Sequence, residues 1–247
     1  MDPVRATARL TGALLIVATV ASLVGGAIAN PVVNGSSYLT RASTDSSQVM
    51  AGAFFLIVAA FACPAIAISL YPVLRRYGQG LALGSVGFRV IEGVLYLMGA
   101  LAVLLLVTLS QEFVRAASPA SPHFQTTGVL LRAVRDRAGL IGSMAFYLGA
   151  LMYYSLFLRS GLVPRWLSSW GFAGAAIGLA AALLVLFQAI DYMSTTHVVL
   201  NVPIAVNEMV LAVWLIGRGF CSPADTEGPR PKELVLSGNP VRVPSDA

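Results

Sequence analysis

The sequence predicts an all-α fold: a polytopic transmembrane helix bundle of six spans with both termini cytoplasmic. Three observations carry this reading. Of 247 residues, 57% are hydrophobic and only 11% are charged, whereas a soluble domain carries about 25% charged residues. There is too little charge to coat a water-facing surface. The apolar residues also gather into long runs, and a run of about 20 is what a helix needs to cross the hydrocarbon core. Finally, the bases collect between those runs. All but one of the sixteen are Arg, Lys232 in the C-terminal tail being the exception.

The first run covers 9–29 and follows Arg5 and Arg9. Basic flank, apolar stretch and Ala27-Ile28-Ala29 also fit a cleavable signal peptide, although the stretch is long for one and Pro31 follows the site. The second run is 49–71, with Cys63 and Pro64 in its middle. The third, 81–110, exceeds a bilayer crossing, so it must tilt, kink or protrude. The fourth, fifth and sixth are 137–158, 167–190 and 197–217. Loops are expected at 30–48, 72–80, 111–136, 159–166 and 191–196. Residues 1–220 thus form one membrane domain. Residues 221–247 hold Pro223, Pro229, Pro231, Pro240 and Pro244 among scattered charges, and are predicted to be a disordered cytoplasmic tail.

Orientation follows from the bases. With the N-terminus inside, ten Arg/Lys lie on the inner side and five on the outer. That balance predicts a multi-pass protein of the plasma membrane with both ends in the cytoplasm. The cluster Arg132, Arg135 and Arg137 runs against the trend. Trp166, Trp170 and Trp214 fall near the proposed inner interface, where indoles anchor well.

Charges inside the spans point to function. Arg89 and Glu92 lie in the third run and Glu208 in the sixth. A charge at bilayer depth is expensive and faces a protein interior or a wet cavity. Helical spacing puts Ser85, Arg89, Glu92 and Tyr96 on one face of span three. It also aligns His197, Asn201 and Glu208 in span six, and Asp136, Ser143, Tyr147 and Tyr154 in span four. At a rise of about 1.5 Å per residue, Glu92 lies roughly 18 Å from Gly80 and Glu208 roughly 15 Å from Arg218. The two acids can meet near the midplane, with Arg89 one turn from Glu92. The candidate ligand or proton site is therefore Arg89, Glu92, Glu208, Asn201, Tyr96 and Tyr147. The alternative is a structural ion cluster that only fixes helix register. Pro64 and Pro203 are expected to bend their helices and free carbonyls. Small-residue ladders (Ala18, Ser22, Gly26; Gly80, Gly84; Gly171, Gly174, Gly178) would let helices approach closely.

Other chemistries find no support. No Lys lies in a span, so a Schiff base to a chromophore is excluded. The two histidines, His123 and His197, make no metal box, and there is no HExxH or GxSxG. No catalytic residues, no cofactor and no metal are expected. No basic stripe with interleaved aromatics is present, which sets nucleic acid aside. The expected partners are the lipid bilayer and a small-molecule ligand, and the sequence leaves homo-oligomerisation open.

Three stretches carry a resemblance: LYPVLRRYGQGLALGSVGFRVIEGVLYL (70–97), LRSGLVPRWLSSWGFAGA (158–175) and NEMVLAVWLIGRGF (207–220). They resemble the bacterial membrane family catalogued as domain of unknown function 4386, over about residues 8–220. Arg89, Glu92, Pro164, Arg165, Trp166, Trp170 and Glu208 fall on the motif positions. The resemblance implies a multi-span membrane protein and brings no catalytic residue, cofactor or substrate.

Overall fold

The computed structural model describes residues 3–116, 122–192 and 194–221. The predicted disordered tail therefore lies outside the described residues, apart from Cys221. Among the described residues seven helices follow one another: α1 (Pro3–Val33), α2 (Tyr38–Thr44), α3 (Ser46–Leu74), α4 (Gln79–Arg115), α5 (Pro122–Ser160), α6 (Arg165–Leu186) and α7 (Thr195–Gly217). No strand occurs among the described residues. All but α2 are long and apolar enough to cross a membrane.

Those six pack mainly in sequence order, and α7 returns against α1, so they close a ring. Short connections force antiparallel neighbours. Small residues then set how closely the helices approach. A Cβ at Gly25 of α1 would stand 2.8 Å from the Gly52 carbonyl oxygen of α3. One at Gly12 would stand 2.7 Å from the Ala212 carbonyl oxygen of α7. Such backbone contact is how helices associate where lipid removes the hydrophobic drive between them. The seams of α7 with α6 and α1 are the slightest in the ring. The outside is greasy: Leu23, Phe54, Phe61 and Val213 are each more than half exposed.

Three expectations are corrected. The predicted loop 30–48 contains the end of α1, all of α2 and the start of α3. The predicted loop 111–136 is mostly helix, because α4 runs to Arg115 and α5 begins at Pro122. Hydropathy marks what lies in lipid, not where a helix stops. At about 1.5 Å per residue α5 is roughly 58 Å long, well beyond a hydrocarbon core of about 30 Å. Its first turns, with α2 and the adjoining ends of α1, α3 and α4, enclose a second core that includes Val32, Tyr38, Leu39, Leu106 and Phe124. Two of the three contrary bases have partners there. The Arg132 guanidinium lies 5.0 Å from the centre of the Tyr38 ring. Arg135 pairs with Asp136 at 2.8 Å and donates to Asn34 Oδ1 at 2.7 Å. Lastly, α6 stops at Leu186 rather than 190. Gln188 takes a left-handed φ of 60°, and the Gln188 and Ala189 amides cap the Val185 and Leu184 carbonyls.

Candidate functional site

The site starts from α4. Arg89 and Glu92 are one turn apart on its inward face, and each side chain is only 3% exposed. Arg89 Nη1 donates to Glu92 Oε2 at 3.1 Å and to Oε1 at 3.3 Å. Its Nη2 reaches across the ring to Glu208 Oε1 of α7 at 2.9 Å. Glu208 is less enclosed, with 15% of its side chain exposed. Arg89 Nε is buried and has no hydrogen-bond acceptor among the described residues.

Two other helices wall this triad. Pro64 of α3 has no N–H, which leaves the Ala60 carbonyl without its usual helical partner. α4 packs closely on that point, since a Cβ at Gly93 would lie 2.7 Å from the Ala60 oxygen. Helix α3 continues unbroken through Pro64. Its Cys63 neighbours Glu92 and forms no disulfide with Cys221. From α5, Phe146 and Tyr153 share a face seven residues apart. The guanidinium carbon stands 4.5 Å from the Phe146 ring centre and 5.7 Å from that of Tyr153. Cation–π attraction is strongest where water is excluded, as here. Tyr153 also donates a long hydrogen bond, 3.5 Å, to Glu208 Oε1.

A second polar layer runs from α5 past α6 to α7. Tyr154 donates to Asn207 Oδ1 at 2.5 Å, and Asn207 Nδ2 donates to the Leu167 carbonyl at 3.0 Å. Tyr147 donates to Asn201 Oδ1, and Asn201 Nδ2 to the His197 carbonyl at 2.8 Å. Glycine makes both crossings feasible. A Cβ at Gly171 would lie 2.2 Å from the Tyr154 ring, and one at Gly178 would lie 2.4 Å from that of Tyr147. The tyrosines therefore lie against bare α6 backbone and reach α7 beyond it.

Of the six predicted site residues, Arg89, Glu92 and Glu208 meet. Asn201 and Tyr147 bond to each other, not to the triad. Tyr96 makes no hydrogen bond to the triad, and its ring packs where a Gly142 Cβ would be, 2.7 Å away. Asp136, on the predicted stripe of span four, pairs instead with Arg135 partway along α5. Sequence reasoning missed Phe146, Tyr153, Asn207 and Cys63. An amide inside an apolar run was a usable signal for Asn207. The aromatics carried none that separates a site wall from ordinary packing.

Two open cavities lie apart along α5, one at its C-terminal end and one beside its middle turns, and neither is lined by a triad residue. One, of about 930 Å³, is where α1 and α6 begin and α5 and α7 end. The other, of about 500 Å³, is lined by Asp136, Asp191 and Tyr192 among others. Burial holds the Tyr192 phenol above its ordinary range, with Asp136 adding to the effect and Arg135 opposing it. Among the described residues no group of three or more His, Cys, Asp or Glu is placed to hold a metal ion.

Six lipid-length apolar helices in a ring, greasy outside and ionic within, define an integral multi-pass membrane protein. The chain belongs to the family described as Domain of unknown function (DUF4386), which matches residues 10–219. No curated protein and no solved structure matches it.

Proposed function

We propose that this protein is a proton-coupled carrier of a small molecule in the plasma membrane, with both termini cytoplasmic and Glu92–Arg89–Glu208 as its proton site. One observation carries the reading: a single guanidinium faces two carboxylates deep in the bundle. Ionised, the three groups sum to one negative charge. A clip that only joined α4 to α7 would need one acid, and a second uncompensated carboxylate at this depth is costly. One proton balances the account. Of the two acids, Glu208 is the one a proton can reach, since 15% of its side chain is exposed while Glu92 is closed off.

Protonation has a mechanical consequence. α4 and α7 share little contact besides the Arg89–Glu208 bond, and α7 has the slightest seams in the ring. Neutralising Glu208 loosens the one polar tie between them, which biases α7 to move. The bilayer is the solvent of this cycle and a small-molecule ligand its passenger.

A second reading has its own support. Arg89 and Glu92 are closed off, and neither cavity reaches them. On that reading the triad fixes helix register in a structural or signalling subunit.

Fast pH jumps on proteoliposomes adsorbed to a solid-supported membrane separate the two. Proton binding predicts a transient charge displacement with the wild type that E208Q abolishes. Traces from wild type and E208Q that both match empty liposomes, with only a lower melting temperature for E208Q, favour the structural reading.

A further inference from the structure

We propose that the larger end cavity is a binding site for a phosphate-bearing anion. Its volume of about 930 Å³ lies within the range of small-molecule pockets, roughly 300–1,000 Å³. Four arginines from four different helix ends converge on it: Arg5, Arg159, Arg165 and Arg218. No Asp or Glu among the described residues lines it. None of the four arginines makes an ion pair among the described residues, although five such pairs form elsewhere.

Helix electrostatics explains only half of this set. Arg159 in the last turn of α5 and Arg218 at the C-cap of α7 offset the negative ends of their helices. Arg5 and Arg165 do the opposite. Each stands in the first turn of its helix, where the backbone is already positive and an acid would be favoured. The start of α6 also lacks any side-chain cap. Two more positive charges at two positive helix ends gain nothing from their own helices and make one concavity of positive potential suited to an anion.

Orientation by the positive-inside bias does not require this convergence either. Arg75 and Arg76 lie at the same end of the bundle, just after α3, and do not line the cavity. The remaining wall suits a ligand. Trp214 lies beneath the Arg218 guanidinium at 4.8 Å, and its indole N–H is buried without an acceptor among the described residues. Two glycines shape the rim, Gly161 at φ 66° and Gly219 at φ 79°, where a side chain would be strained. The Cys221 amide closes it by donating to the Leu162 carbonyl at 2.8 Å. Planar, bidentate guanidinium groups match phosphoryl oxygens well.

Phosphate can arrive as a free anion or as the headgroup of an acidic lipid, and one experiment tells them apart. Full-length protein in neutral detergent is titrated with inorganic phosphate against chloride at equal ionic strength. It is titrated separately with phosphatidylglycerol against phosphatidylcholine in mixed micelles. Thermal stability is the readout, for wild type, R165Q/R218Q and R75Q/R76Q. The expected result is stabilisation of the wild type that R165Q/R218Q weakens about tenfold or more in apparent affinity, while R75Q/R76Q keeps it. Stabilisation by inorganic phosphate identifies a soluble ligand; stabilisation by phosphatidylglycerol alone identifies a lipid headgroup. Two results overturn the proposal: no stabilisation by either, or stabilisation that R165Q/R218Q and R75Q/R76Q reduce equally. Should R165Q/R218Q fail to fold, R159Q alone takes its place with the same criteria.

Discussion

The triad between α4 and α7 and the cavity at the helix ends handle charge in opposite ways. In the closed interior two acids hold one base, every charge touches an opposite one, and aromatic rings exclude water. At the open end four bases meet no acid among the described residues. Solvation accounts for the difference. Deep in the ring an unpaired charge has no water to turn to, so pairing is obligatory, and the proposed proton would offset the surplus negative charge. At the end of the bundle water stabilises each guanidinium alone, so charges stay unpaired and available. Stability should therefore depend on the first region and ligand binding on the second.

The sharpest way to break that contrast is to remove the base from the interior. R89A leaves two buried carboxylates facing each other, and loss of one member of a buried pair costs about 3–5 kcal/mol. The expected outcome is a large fall in melting temperature in detergent, or failure to recover folded protein. The apolar triple replacement R89L/E92L/E208L should recover most of that loss, because no charge is then stranded. Next comes G171A. Its methyl group collides with the Tyr154 ring and lies 2.7 Å from Asn207 Oδ1, and overpacking of this kind costs about 1–3 kcal/mol. Differential scanning fluorimetry reads it, with A173G on the same helix as the comparison.

E208Q should cost less than either, within about 1 kcal/mol, because it removes the surplus charge and keeps a group that accepts from Arg89. A drop as large as that of R89A would mean that Glu208 is the structural partner and carries no exchangeable proton. Smallest of all is R165Q/R218Q. Both arginines are exposed and form no ion pair among the described residues, and substitutions at such positions fall within about 0.5 kcal/mol, so its unliganded melting temperature should stay close to that of the wild type.

The sequence disclosed the triad for the same physical reason that makes it expensive. Charges at bilayer depth must find one another, a spacing of three places Arg89 beside Glu92, and counting from the helix ends puts Glu208 at their level. Tyr153 stayed hidden because an aromatic in an apolar run reads as packing until the register of α5 against α4 is known. Small-residue ladders divided in the same manner. Gly171, Gly174 and Gly178 do face neighbouring helices, meeting Tyr154, Ile204 and Tyr147. On α1 the contact face is Ala21, Gly25 and Ala29, one register away from the predicted Ala18, Ser22 and Gly26, and Ser22 is exposed. Every side of a span is apolar, so periodicity alone cannot tell lipid from neighbour. The second core was illegible for a related reason. Polar turns of α5 break the apolar run but not the helix, and only the partners on α2 reveal that they are packed.

Infrared difference spectroscopy between acidic and alkaline samples, on protein in lipid, tests the central claim most directly. The account predicts a protonated-carboxyl C=O band in the wild type that disappears in E208Q and persists in E112Q, where the lost acid is exposed. A wild-type spectrum without that band, or one that E208Q leaves unchanged, contradicts it.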